Sequence, residues 1–182
     1  MNRHPDIQVH SSEVLHSTRI FELKREVLSL PSGLRQDLTI VDHPGAVAIA
    51  AELDDGRLVL VRQYRHAIGD WLVELPAGRL EAGEDPLLAA RRELEEETGY
   101  RAAHWRKLAE FFAAPGFCSE RMTVFHAREL SPVGRDRRPH DVDEELELVL
   151  RTPRELLASP SPDAKTWLAA ALLANPAARK RR

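Results

Sequence analysis

The stretch GRLEAGEDPLLAARRELEEETGY, residues 78–100, holds six glutamates, one aspartate and three arginines in a loop, a short helix and the start of a second loop. Acidic side chains crowded on one helical face repel one another. At about 5 Å and an effective dielectric near 20, a close pair costs on the order of 3 kcal/mol. A divalent cation is the simplest reason for a fold to keep such a cluster. The helix ends are readable. Asp85 is a good N-cap, and Pro86 takes the first helical position, where its missing N–H costs nothing. Gly99 can adopt the left-handed conformation just past the C-terminus. Leu87, Ala90 and Leu94 give an apolar stripe to pack on a sheet. Glu93, Glu96 and Glu97 stand at i, i+3 and i+4, so their carboxylates share one side. Arg92 can pair with Glu96 one turn on, or with an acid of the preceding loop. The acids gather toward the C-terminal end, where the helix dipole disfavours negative charge. Carboxylate oxygens, with no Cys or His among them, suit hard cations such as Mg²⁺ or Mn²⁺.

A solvated Glu/Arg helix laced with i,i+4 pairs is the alternative, and most charge-rich helices are of that kind. The wider spacing favours the metal. Gly78, five residues, Glu84, seven residues, then Arg92-Glu93-Leu94-x-Glu96-Glu97-x-Gly99-Tyr100 resembles the box of the Nudix hydrolases, with every fixed polar and glycine position filled. Tyr100 departs softly from the pattern, since an aliphatic residue is more usual there; this bears on packing and leaves the chemistry intact.

Composition bounds the rest. A chain of 182 residues can bury a sizeable core and is most simply one domain. Hydrophobic content of 43% and charged content of 30% are ordinary for a globular protein. A formal net charge of −3 offers no general attraction for nucleic acid, so a phosphate-bearing substrate must be neutralised locally, by metal ions and a few arginines. The terminal Arg179-Lys180-Arg181-Arg182 reads as a solubilising tail. The single cysteine, Cys118, excludes an intrachain disulfide and fits a reducing cytoplasm, with a passive packing role. No apolar run is long enough to span a membrane, and residues 1–17 lack the apolar core of a signal peptide.

Those first 17 residues read as polar and irregular. Strands are expected over residues 19–29 and 34–42, separated by Pro31-Ser32-Gly33. Residues 46–53 and 57–63 form a hairpin around Asp55-Gly56. Residues 71–75 are a short strand leading into the box. Further strands are expected near 105–112, 121–128 and 145–151, with a charged loop over 131–143 and a short helical turn over 153–158. A final helix spans 162–174, with Trp167, Leu168, Ala171 and Leu172 as its buried side. Strands and helices mixed in this way argue an α/β layered domain. The resemblance supplies the architecture: the Nudix fold, a mixed sheet sandwiched between helices, over residues 43–182, preceded by an N-terminal β extension over residues 1–42.

Flanking segments are similar to the ADP-ribose pyrophosphatase branch of the family. Pro115 falls fifteen positions after Tyr100, inside Ala114-Pro115-Gly116-Phe117-Cys118-Ser119-Glu120. His43-Pro44-Gly45-Ala46-Val47, Val61-Arg62-Gln63-Tyr64-Arg65 and Glu74-Leu75-Pro76-Ala77-Gly78 look like that branch too. What the resemblance implies can be stated residue by residue. Glu93 and Glu97 hold the ions, with Glu96 and the backbone carbonyl of Ala77 as further ligands or metal-water contacts. Glu84 braces the loop through Arg92, which acts as an orienting partner. One carboxylate comes from outside the box, in Asp141-Val142-Asp143-Glu144-Glu145-Leu146-Glu147: Glu144 is the first choice for general base or late metal ligand and Glu145 the second. Arg65 is the phosphate-binding candidate. Glu120 matches the position that accepts hydrogen bonds from the terminal ribose hydroxyls, a role that suits an acceptor-only carboxylate. Gly116 and Phe117 belong to the same substrate loop. Phe21 or Trp71 would stack on adenine, with a core position as the alternative for Trp71. The resemblance also implies a homodimer, in which the strands of residues 19–42 complete the other subunit's adenine site.

Three functions are compatible with these motifs. The first is metal-dependent hydrolysis of ADP-ribose to AMP and ribose 5-phosphate. The second is hydrolysis of another nucleoside diphosphate derivative, such as a different sugar nucleotide, NADH or flavin adenine dinucleotide. The third is a non-catalytic domain that senses ADP-ribose; an intact box and the lack of room for a winged helix weigh against it.

Overall fold

Asp55-Gly56 turns the chain because Gly56 takes φ 83°, a conformation closed to most side chains. The strands it joins are β4 (Ala46–Glu52) and β5 (Leu58–Arg65) in the computed structural model, which describes residues 4–134, 145–158 and 163–175. Earlier in the chain come β1 (Gln8–Ser17), β2 (Glu22–Ser29) and β3 (Arg35–Asp42). After the hairpin follow β6 (Asp70–Glu74), β7 (Ala77–Arg79), α1 (Pro86–Thr98), β8 (Tyr100–Phe112) and β9 (Arg121–Pro132). The chain ends with β10 (Glu147–Arg151), α2 (Pro153–Ala158) and α3 (Ala164–Ala174). The mixed sheet has seven strands, in the order β10-β5-β4-β9-β8, with β6 paired to β5 and β7 to β4. β1-β2-β3 form a separate antiparallel sheet.

These elements group into two units. One comprises Met1–Ala46 and Phe111–Met122, the other Val47–Glu110 and Thr123–Arg182. In the second unit β4 is buried along nearly its whole length, as expected of a strand covered on both faces. Val47, Ile49, Val59, Phe125 and Ala127 form a core with Ala89, Ala90 and Leu94 of α1. Leu87 packs at its margin, so the apolar stripe read from the sequence is the face that α1 buries. Tyr100 packs against the same core from the start of β8, which gives the departure from the box pattern a packing role. Among the described residues, no helix is long and apolar enough to cross a membrane.

Two expectations are corrected. Residues 8–17 are a strand, where an irregular segment was expected. Every residue of β1 is exposed, so burial leaves no period in its sequence. Its turn into β2 carries neither glycine nor proline. The Thr18 hydroxyl makes it, accepting from the backbone N–H of Ile20 and of Phe21 and donating to the Phe21 carbonyl at 2.9 Å. In α3 the buried side is Thr166, Ala169, Ala170 and Leu173, and Trp167 is 50% exposed. The expected residues lie on the opposite face of the helix, because the buried face is centred on a threonine. The Thr166 hydroxyl accepts a hydrogen bond from Leu75 N at 2.8 Å, a partner 91 positions away.

The caps of α1 are as the sequence reads. Asp85 Oδ1 accepts from Leu87 N at 2.9 Å and Leu88 N at 3.2 Å, and Gly99 at φ 72° returns its N–H to the Glu95 carbonyl. Replacing Asp85 by alanine removes the cap and is expected to lower stability by about 1 kcal/mol. Chemical denaturation of the two proteins checks this, with Asp85→Asn retaining most of the stability; an unchanged midpoint in Asp85→Ala would contradict it.

Candidate active site

α1 and the loop before it place four carboxylates around one guanidinium. Arg92 donates from Nε and Nη2 to Glu84 at 3.2 Å each, and from Nη1 to Glu93 at 2.7 Å and Glu96 at 3.0 Å. Nη2 also reaches the carbonyl of Arg79 at 3.4 Å. The two pairings that the spacing left open, to Glu96 or to a loop acid, are therefore both made. Burial opposes the charge on Arg92, but Glu84, Glu93 and Glu96 more than offset it and raise its pKa above the ordinary guanidinium value. The hydrogen bond from Arg92 in turn holds the Glu84 carboxyl below the usual carboxylate range, against the burial that would raise it.

Glu97 is 5% exposed and accepts from the backbone N–H of Ala77 at 3.2 Å, which ties the end of α1 to the strand entering the box. Glu93 lies against Gly78. A β-carbon at that position would overlap the Glu93 carboxylate, so glycine is required there for the acid to sit where it does. Glu95, on another face, is held by Arg101 through two bonds of 2.8 Å and braces the helix.

Among the described residues, no three acidic, histidine or cysteine side chains are already drawn into a closed cage. Arg92 holds Glu93 and Glu96. The donor set nevertheless fits a hard divalent cation. It is all oxygen, it lies beside the Ala77–Gly78 backbone, and Glu84, Glu93, Glu96 and Glu97 outnumber the Arg92 charge four to one.

Arg65 ends β5 and gives its Nε to Glu74 Oε1 at 2.6 Å. Glu74 is 2% exposed, and its other oxygen is held by Lys165. Asp163 is a local N-cap of α3, but no local signal pointed to the pairing of Glu74 with Lys165 or of Leu75 N with the Thr166 hydroxyl, which meet only through the fold. Trp71 is 39% exposed, so its core alternative is set aside. The Arg62 guanidinium lies 4.5 Å above its ring, and Tyr64 packs edge-on at 5.7 Å. Glu145 is exposed, just before β10; Glu144 and the rest of residues 141–143 lie outside the described residues.

Phe21, Gly116, Phe117 and Glu120 belong to the first unit. Phe21 lines a cavity of about 680 Å³ with Asp42, Phe112, Ser119 and Arg121. The turn at Pro115-Gly116 docks on β3: Val41 N donates to the Phe117 carbonyl at 2.7 Å and Ser119 N to the Val41 carbonyl at 2.9 Å. Phe117 is 60% exposed and Glu120 half-buried. Cys118 Sγ accepts from Glu120 N at 3.4 Å, a local packing contact.

The mixed sheet carries a capped helix whose arginine-bound acids form an all-oxygen site suited to a hard divalent cation. The NUDIX domain matches residues 42–171, and the chain belongs to that family, whose hydrolases depend on divalent metal. It is 42% identical over 147 residues to an ADP-ribose pyrophosphatase of Bacillus subtilis (strain 168), covering 81% of this chain and 79% of that protein. It is 45% identical over 137 residues to an ADP-ribose pyrophosphatase of Mycobacterium tuberculosis, covering 75% and 66%. A crystal structure of an ADP compounds hydrolase superposes with a TM-score of 0.77 over 96% of this chain and 95% of that one, at 24% identity, which establishes the fold.

Because pairing depresses the folded-state pKa of Glu84, the stability it contributes is present in full above its ordinary value of 4.5 and is lost as pH falls through the folded-state value. Glu84→Gln is expected to melt below the wild type at pH 7, by about 1–3 kcal/mol of stability. The gap should narrow as the pH is lowered past 4.5. Thermal melts from about pH 7 to about pH 3 check this; a gap that stays constant throughout would contradict it.

Proposed function

We infer that the protein hydrolyses the pyrophosphate bond of ADP-ribose, giving AMP and ribose 5-phosphate. The observation that carries the inference is the acid cluster of α1, intact at every position and braced by Arg92, in a chain 42% identical over most of its length to an ADP-ribose pyrophosphatase. The intact cluster also favours an enzyme over a sensing domain.

A diphosphate linkage repels any anionic or electron-rich nucleophile. Glu93, Glu96, Glu97 and the Ala77 carbonyl would hold Mg²⁺, with Mn²⁺ as the alternative. When bound, the cation supplies charge neutralisation of the diphosphate and Lewis acidity. Arg92 keeps Glu93 and Glu96 from repelling one another and fixes the loop through Glu84. Arg65 binds a phosphate. Glu120 accepts from the terminal ribose hydroxyls within the loop that carries Gly116 and Phe117. Phe21 stacks on adenine in the first unit, with Trp71 as the second choice. Glu144 removes the proton from the attacking water, and Glu145 is next in line for that role. The β1–β3 unit, with its fully exposed β1, is the proposed contact between two copies of the chain in a homodimer. A lone half-buried cysteine fits a cytoplasmic setting.

The direct test is a panel of ADP-ribose, another sugar nucleotide, NADH and flavin adenine dinucleotide, with products separated by chromatography. ADP-ribose should be cleaved fastest, with AMP released only when Mg²⁺ or Mn²⁺ is present. Chelation should abolish turnover, and Glu97→Gln should lower it by roughly a hundredfold or more. Undiminished metal-dependent turnover in Glu97→Gln would contradict the site, and faster cleavage of another panel member would reassign the substrate.

A further inference from the structure

We propose that Lys165 is a positioning residue: from the first turn of α3 it holds the buried Glu74 carboxylate, and through Glu74 it sets the Arg65 guanidinium for the substrate's diphosphate. This rests on the assignment of Arg65 to phosphate binding.

Glu74 stands at the end of β6, three residues before Ala77, and is 2% exposed. An ionised carboxylate so far from water must be matched by cations and hydrogen bonds. It has one cation on each oxygen, Arg65 Nε on Oε1 at 2.6 Å and Lys165 Nζ on Oε2. The two ends of this bridge differ. The Lys165 side chain is 11% exposed and also binds Asp163 Oδ1 at 3.0 Å, so it is locked between two acids. The Arg65 side chain is 41% exposed. One end is thus built into the fold and the other is accessible to a ligand.

The same turn of α3 fixes the backbone beside Glu74. Asp163 caps the helix by accepting from Thr166 N at 3.1 Å, and the Thr166 hydroxyl takes the N–H of Leu75 at 2.8 Å. Two residues further on, Ala77 N binds Glu97. A short run of chain, residues 74–77, therefore connects α3 to both the arginine and the acid cluster.

The electrostatics say what Lys165 does. With Lys165 present, Glu74 is neutralised from both sides and its claim on Arg65 is shared. With Lys165 removed, the buried carboxylate draws on Arg65 alone and competes with a phosphate for the same guanidinium. Truncating Lys165 therefore weakens diphosphate binding without touching the groups that carry the reaction.

The test is a double-mutant cycle on the full chain with Lys165→Met, Arg65→Ala and the double variant, plus Lys165→Arg. Calorimetric binding of ADP reads diphosphate affinity without turnover, and steady-state hydrolysis of ADP-ribose separates KM from kcat. Lys165→Met should weaken ADP binding roughly tenfold and raise KM by a similar factor, with kcat within about twofold. Lys165→Arg should restore most of the affinity. In the Arg65→Ala background the Lys165 effect should vanish. Losses from the two residues that simply multiply, or a Lys165→Met loss confined to kcat, would overturn the proposal. Should Lys165→Met fail to fold, Lys165→Gln carries the same comparison. A wild-type protein that binds ADP and leaves ADP-ribose uncleaved would overturn the functional assignment alone, and the cycle would still be read from ADP binding.

Discussion

The guanidinium of Arg92 is the constraint on which the candidate site depends. Its planar fork of N–H donors reaches Glu84 from the loop, Glu93 and Glu96 from the helix, and the Arg79 carbonyl from β7. A lysine could supply the charge but could not span those partners in fixed directions. Without the arginine, Glu84, Glu93 and Glu96 would face one another across a largely dehydrated space, each pair costing on the order of 3 kcal/mol. With it, the acids are held close together while the group retains a negative excess that favours a divalent cation.

Around that centre the second unit acts as a frame. The core beneath α1 fixes the helix against β4, β5 and β9. Gly78 leaves the space that Glu93 fills, and Ala77 N holds Glu97. From the other side, the first turn of α3 clips Glu74 and Leu75, so the strand entering the box is anchored at both ends of its run. The box acids and Arg65 are thus fixed by separate sets of bonds that share one short piece of backbone.

What was legible in the sequence follows from how local each determinant is. The caps of α1, its stripe and the i, i+3, i+4 acids lie within a few residues of one another, and the structure has them as read. The Asp55-Gly56 hairpin is local in the same way. β1 escaped notice because an exposed strand carries no alternation and its turn is made by a threonine hydroxyl. The phase of α3 was misplaced because hydrophobicity favoured Trp167, whereas the helix buries Thr166 to satisfy Leu75 N. The bridge from Lys165 to Glu74 joins positions 91 apart, and no spacing rule connects them. Arg65 is a phosphate-binding candidate within a segment that resembles the branch, whereas the Glu74 carboxylate it binds is visible only in the fold.

The proposed role of the acids organised by Arg92 is to hold the catalytic cation. Anomalous diffraction from crystals grown with Mn²⁺ locates that cation. A manganese peak within coordination distance of carboxylate oxygens of Glu93 and Glu97 is expected. A protein that hydrolyses ADP-ribose with its manganese bound only elsewhere, and with Glu93 and Glu97 making no contact to it, would overturn that role.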